Sequence, residues 1–292
     1  MNNAGVHAWF GRVYDEHPME YPFGFDISDA SRQNYEEDVL VTGFGLAPVK
    51  VQGQSVIFDS ESQGYVKRYV HVVYAIGYIV TEEEMDDNLY EVVSMRRAEA
   101  SAFSLRQTEE TVCANVYNRA TNNSYTGGDG VSLGNASHPT KAGTFSNILS
   151  PAADISETAI EDLCIQIMGA TNDRGLKISL TPKSIQVHRN DWFEANRILR
   201  SVLQNDTANN ATNVLKSTNA IPEGPFINHY FNDTDAFFIR TNCPHGMTYM
   251  LRKDKVFRKD NDFATDNALA KCQKRFSVGW TDPRGLYMSA GA

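Results

Sequence analysis

The chain has 292 residues, 41% of them hydrophobic and 22% charged, a balance ordinary for a globular protein with room for one large core or two modest ones. Its formal net charge of −9 excludes a chain whose main work is gripping a phosphate backbone, because that work needs a basic face to displace counterions. No apolar run approaches the roughly 20 residues needed to cross a bilayer, and residues 1–18 lack the layout of a signal peptide.

Residues 1–37 are polar and aromatic, with scattered Gly and Pro and no sustained amphipathic period, and read as an extended arm. The chain then turns β-like. Val39–Phe44 and Val56–Phe58 flank interruptions at Gly45, Pro48 and Gly53, Asp59–Gly64 reads as a turn, and Tyr65–Val80 is β-branched and aromatic throughout. The expectation is one long hairpin over 38–80. A two-stranded hairpin is marginal in water and its edges invite pairing, so a projecting one needs a surface to lie on, a neighbouring subunit being one candidate.

Thr81-Glu82-Glu83-Glu84 has the form of a capping box and opens a helix expected over 81–119. Glu82, Glu83, Asp86 and Asp87 suit the positive end of its dipole, and Arg119 suits the negative end. Met85, Leu89, Val92, Val93, Arg96 and Ala100 fall at helical spacing, extended by Leu105, Val112 and Val116, and neither Pro nor Gly interrupts. Unbroken, it is about 57 Å long. That is odd in a compact enzyme but natural for the spine of a flat, elongated subunit.

Residues 121–150 are rich in Gly, Ser, Asn and Thr and read as loop. A second helix is expected over Ile155–Ala170, with Ile160, Leu163, Cys164, Ile167 and Met168 on one face. Short strands follow at Leu176–Leu180 and Ser184–His188, then a third helix over Asn190–Leu203 and a polar loop over Gln204–Asn213. Helices and strands mixed without a βαβ rhythm indicate the α+β class. From Gly246 to Ser289, apolar β-favouring stretches alternate with charged clusters, the pattern of a sheet that closes a core and faces neighbours.

Chemistry is sparse. Cys113, Cys164, Cys243 and Cys272 are far apart and form no CxxC pair, so they read as plain buried thiols. His138 in the polar loop has no nucleophile at a recognisable spacing, and Gly127-Gly128-Asp129-Gly130 lacks the Gly-Lys-Ser/Thr of a phosphate loop. His229, Asp233 and Asp235 match no standard metal spacing. Cys243 and His245 flank Pro244, which keeps the backbone stiff between them. No catalytic, cofactor or metal residue is assigned. The densest basic run, Arg252, Lys253, Lys255, Arg258 and Lys259, reads either as a solvated strand face or as a contact with acidic surface on another copy, for example Glu82, Glu83 and Glu84.

The C-terminal residues Arg275, Phe276, Gly279, Trp280, Asp282, Arg284, Gly285, Tyr287 and Ser289 resemble the ending of tailed-bacteriophage major capsid proteins of the Hong Kong 97 fold. Residues 44–90, the segment from Asp129 to Ser150 followed by Asp173-Arg174-Gly175 and Pro182, and Phe226–Ile239 resemble further segments of that family in the same order. Phe237-Phe238 stands where Trp is common. The resemblance implies an N-terminal arm (1–37), an extended β-hairpin loop (38–80), a spine helix of a peripheral domain (81–124), a mostly axial domain (125–245) and C-terminal strands returning to the peripheral domain (246–292). It further implies hexamers and pentamers of an icosahedral head that encloses double-stranded DNA without specific binding, no cofactor and no membrane. Its partners would be a portal protein, a decoration protein in some heads, and a separate scaffolding protein, since no long helical segment precedes the arm. The location would be the virion, assembled in the cytoplasm of a host bacterium. Lys50 and Lys67 lie in the region that supplies a crosslinking Lys in the type member, but no Asn or Glu matches residue by residue, so no crosslink is inferred. Candidate inter-subunit contacts are Lys50, Lys67, Arg68, Glu82, Glu83, Glu84, Arg252, Lys253, Lys255, Arg258 and Lys259. The alternatives are an encapsulin-type compartment, which shares the fold, and an α+β hydrolase using His138 or Cys243 with His245.

Overall fold

Met247–Asn261 and Ala268–Trp280 pair antiparallel from Met247↔Trp280 to Asn261↔Ala268 and form the backbone of the molecule. The computed structural model describes residues 3–28, 31–87, 90–204, 211–262 and 264–292. In chain order the elements are α1 (Asn3–Glu16), α2 (Tyr21–Gly24), β1 (Asp26–Ser28), β2 (Tyr35–Thr42), β3 (Ser62–Val70), β4 (Val72–Val80), α3 (Glu82–Asp86), α4 (Tyr90–Asn118), β5 (His138–Thr140), β6 (Gly143–Phe145), α5 (Glu157–Met168), β7 (Pro182–Val187), α6 (Trp192–Arg200), α7 (Val214–Ser217), β8 (Pro225–Ile227), β9 (Phe237–Thr241), β10 (Met247–Asn261), β11 (Ala268–Trp280) and β12 (Leu286–Ser289). The first sheet has the order β1-β10-β11-β4 and the second β12-β9-β7-β8. β12 therefore sits in the second sheet, and the C-terminal run serves both.

The long helix is present but broken. Thr81 and Glu84 close the capping box, Glu84 N–H donating to Thr81 Oγ1 and Thr81 N–H to Glu84, each at 3.3 Å. The helix so started ends at Asp86, the chain turns at Asp87, and α4 runs from Tyr90 for 29 residues, about 43 Å. Asp86 and Asp87 are weak helix formers that favour turns, which accounts for the end of α3. Arg97 on α4 bridges it by pairing with Glu84 at 2.6 Å. Of the apolar positions expected on this helix, the side chains of Met85, Leu89, Val92 and Val93 lie outside the described residues.

The N-terminal segment is helical where an extended arm was expected. Phe10, Val13 and Tyr14 of α1 lie one turn apart and bury against Ala98, Ala102 and Leu105 of α4 and Phe257 and Cys272 of the sheet. The two alanines let the helix axes approach closely. A single amphipathic turn is a weak signal by itself; tertiary packing makes this helix.

Beneath α1 lies a buried ionic knot. Glu109 of α4 accepts from Tyr14 Oη at 2.6 Å, Tyr249 Oη at 2.6 Å and Arg106 Nη1 at 2.9 Å, and also pairs with Lys274 of β11. Burial raises the Glu109 carboxyl, but Lys274 and the donated hydrogen bonds outweigh it and hold the group below its usual range. The neighbouring Glu110 accepts the backbone N–H of Glu20 (3.1 Å) and Tyr21 (3.0 Å) and fixes the start of α2. The second sheet has its own core, where Ile160, Leu163 and Ile167 of α5 pack with Ile185, Val187, Ile239 and Tyr287.

Other elements are shorter than expected. α5 starts at the Ser156 cap, whose Oγ accepts from Ala159 N–H at 3.2 Å. α6 covers Trp192–Arg200, and Leu176–Leu180 forms only an isolated bridge at Lys177 in place of a strand. The loop expected over Gln204–Asn213 falls mostly at 205–210, outside the described residues.

Candidate functional site

The hairpin pairs β2 with β3 from Tyr35↔Val70 to Thr42↔Ser62 and carries an irregular tip at 43–61. Tyr65–Val80, expected as one strand, divides at His71. The first part pairs with β2, and the second joins the long sheet beside β11. His71 is buried at the bend between Ser31 Oγ (2.6 Å) and Ser277 Oγ (3.0 Å), and burial followed by the Arg275 charge pushes its pKa down. The hairpin thus leaves the body at an angle fixed by a satisfied polar joint.

The tip is tied to the body at its base. Arg174 pairs with Asp59 at 2.6 Å, Asp59 also accepts from Gly45 N–H at 2.8 Å, and Tyr65 Oη donates to the carbonyl of Pro139. Donors from Gly45 and Ser60, then the Arg174 charge, hold the Asp59 carboxyl below its ordinary value. Beyond that tether, Leu46 is 82% exposed, Val49 92% and Phe58 93%. These are large apolar side chains held out in water on a segment with no strand or helix of its own.

The candidate chemical residues are committed elsewhere. His138 is buried, its Nδ1 2.6 Å from Asp129 Oδ2 and its Nε2 3.0 Å from Asn147 Oδ1. Asn147 in turn donates to the carbonyls of Leu133 (2.6 Å), Pro283 (3.2 Å) and Leu286 (3.0 Å). This histidine ties the loop to the C-terminal turn and presents no free nitrogen to a substrate. Cys243 is buried, and burial and Asp282 push its thiol strongly up, away from the thiolate a nucleophile needs. His245 turns away to Asp38 at 3.0 Å, so the two do not form a dyad. His229 pairs with Glu20, while Asp233 accepts from the backbone of Asp235 and Ala236. Among the described residues, three or more metal-type ligands converge nowhere.

The charged candidates divide in two. Several are occupied within the subunit: Lys67 donates to the Thr126 carbonyl at 2.9 Å and lies over the Trp280 ring, Arg68 pairs with Glu37 at 2.6 Å, and Glu84 pairs with Arg97. Burial pushes the Lys67 ammonium pKa down. Arg252 donates to the Gln33 carbonyl at 3.0 Å and Lys255 pairs with Asp15 on α1, while Lys259 is half-buried. Lys50, Glu82, Glu83, Lys253 and Arg258 are exposed. Sequence reading missed Lys271, which the strand register sets directly opposite Arg258, because bulges between Leu251 and Val256 break the simple alternation.

A search of curated proteins finds no match. Among solved structures, the chain is similar to a virus-like particle from Pyrococcus furiosus (TM-score 0.58, 10% identity, 98% of each chain covered). It is also similar to the capsid of a native GTA particle (0.57, 14%, 94% of this chain and 90% of that one) and to a structure from Mycobacterium phage Adephagia (0.55, 11%, 94% and 91%). At such identities the likeness concerns the fold, which is the Hong Kong 97-type α+β capsid fold. Residues 64–289, well over half of the chain, match the family described as phage capsid protein, and the chain belongs to that family as a major capsid protein.

Proposed function

We propose that this chain assembles as hexamers and pentamers into an icosahedral head around double-stranded DNA, without catalysis, in the cytoplasm of a bacterial host. The observation that carries this reading is the hairpin tip, whose Leu46, Val49 and Phe58 are almost fully exposed in the single chain and need a neighbouring copy to cover them. In this frame residues 1–37 form the arm, 38–80 the extended loop, 81–124 the spine, 125–245 most of the axial domain and 246–292 the returning strands. A separate scaffolding protein, a portal protein and a decoration protein are the partners this reading adds. The locked His138, and the burial that pushes the Cys243 thiol up, support a reading without catalysis. A protein compartment is the second reading, favoured by the likeness to the Pyrococcus furiosus particle over nearly the whole of both chains. The test is the content of particles purified from cells that express the chain with its neighbouring genes. Nuclease-protected double-stranded DNA in closed shells supports the head. A packaged protein without DNA supports the compartment, and ester hydrolysis that His138→Ala abolishes overturns both.

A further inference from the structure

The first sheet has an exposed stretch around Arg258 and Lys271. α1 and α4 pack on the face that carries Phe257, Ala270 and Cys272, and the opposite face bears two directly opposed cation pairs, Lys253↔Arg275 and Arg258↔Lys271. They share a face because Arg275 and Lys271 are four residues apart on one strand. Arg275 is satisfied by Asn34 and the His71 carbonyl. Lys253, Arg258 and Lys271 are exposed and form no ion pair with a described residue. Like charges directly opposite on a sheet are destabilising. The free subunit therefore carries a repulsion at Arg258 and Lys271 that an acidic partner would relieve.

The same end of the molecule carries the complement. Glu82 and Glu83 of α3 are exposed, while Glu84 beside them is taken by Arg97. Glu82 N–H donates to Asn267 Oδ1 at 3.2 Å, so α3 starts against the turn between β10 and β11, next to the basic face rather than on it. Each copy thus presents a basic flank and an acidic flank at one tip. The exposed Val73 and Ile79 border the cations on β4. A phosphate backbone offers nothing to apolar side chains, whereas a protein surface does, and a chain of net charge −9 has carboxylates to spare.

We infer that Arg258 and Lys271 dock the Glu82–Glu83 carboxylates of a second copy, in a head-to-tail contact between sheet tips. This rests on the capsid reading. Such a heterologous contact closes into rings when its rotation permits.

The test is charge reversal with compensation in the full chain, expressed with its neighbouring genes, with shell yield read by electron microscopy and light scattering. R258E/K271E and E82K/E83K are each expected to lower shell yield about tenfold, and their combination to return it to within about threefold of the unaltered chain. A second readout separates assembly from folding. R258E alone turns a like-charge cross-strand pair into an attractive one, so the free subunit should melt no lower than the unaltered chain while its assembly weakens. Reversals that leave shell yield unchanged overturn the inference, as does a combined variant that fails to recover. Reversals that lower only the nucleic acid held by normal shells overturn it in favour of a polyanion at this face. An unaltered chain that forms no shell under any condition removes the capsid reading itself, an outcome distinct from normal shells with indifferent reversals.

Discussion

Phe58→Ser should separate assembly from folding. Phe58 is 93% exposed at the hairpin tip and lies outside the three buried clusters. Removing it costs the isolated subunit almost nothing, within about 0.5 kcal/mol. If a neighbour covers the ring in the shell, burial of a phenylalanine is worth about 2 kcal/mol, or roughly 30-fold in each pairwise constant. Every copy in a closed shell gives one tip and receives one, so the threshold concentration for assembly should rise by about that factor. Urea unfolding of the free subunit and a concentration series of assembly by light scattering measure the two sides independently. A variant that assembles at the same threshold as the unaltered chain would refute the assignment of the tip to an interface. One that unfolds several kcal/mol earlier would show that Phe58 supports the subunit itself.

Three further outcomes follow from the buried polar groups. Glu109→Ala should cost about 3–5 kcal/mol by chemical denaturation, because it leaves Arg106 buried without its counter-charge and Lys274 with only the exposed Asp254 at 4.0 Å; a loss under about 1 kcal/mol would contradict the knot's role. Glu110 has its pKa pushed up to about 7 by burial, with Glu109 and Glu20 adding to it and the two backbone N–H donors opposing. A carboxyl that binds its proton more tightly folded than unfolded gives stability that is complete below its unfolded value of 4.5 and lost as pH rises through about 7. At about 1.4 kcal/mol per pH unit the change is about 3.5 kcal/mol, and Glu110→Gln should flatten that part of a stability–pH curve. An unchanged slope in Glu110→Gln would refute it. Asn147→Ala should cost about 2–4 kcal/mol, since it strands His138 and three buried carbonyls, and a thermal melt within a degree of the unaltered chain would contradict this.

Local chemistry was the legible part of the sequence. The capping box at Thr81 and Glu84 and the β-rich run into Val80 each act within a few residues, so composition and spacing reveal them. Longer-range features were hidden. Lys274 looks like a surface charge in an amphipathic strand until Glu109, 165 positions away, is set against it. His71 looks like one more strand residue, yet Ser31 and Ser277 make it the joint at which the strand divides. α1 carries a single apolar turn that acquires meaning only from Ala98 and Ala102 on the helix it meets. Spacing alone assigned no catalytic role to His138, Cys243 or His245, but the partners that occupy each of them are tertiary. The opposed pair Arg258 and Lys271 depends on register, and β-bulges in β10 decouple that from simple alternation.

The most direct test of the central claim is negative-stain microscopy of the purified chain, expressed with and without its neighbouring genes, together with light-scattering mass. The account predicts closed shells, tubes or rings of five or six. A monodisperse monomer or dimer under every condition would contradict it.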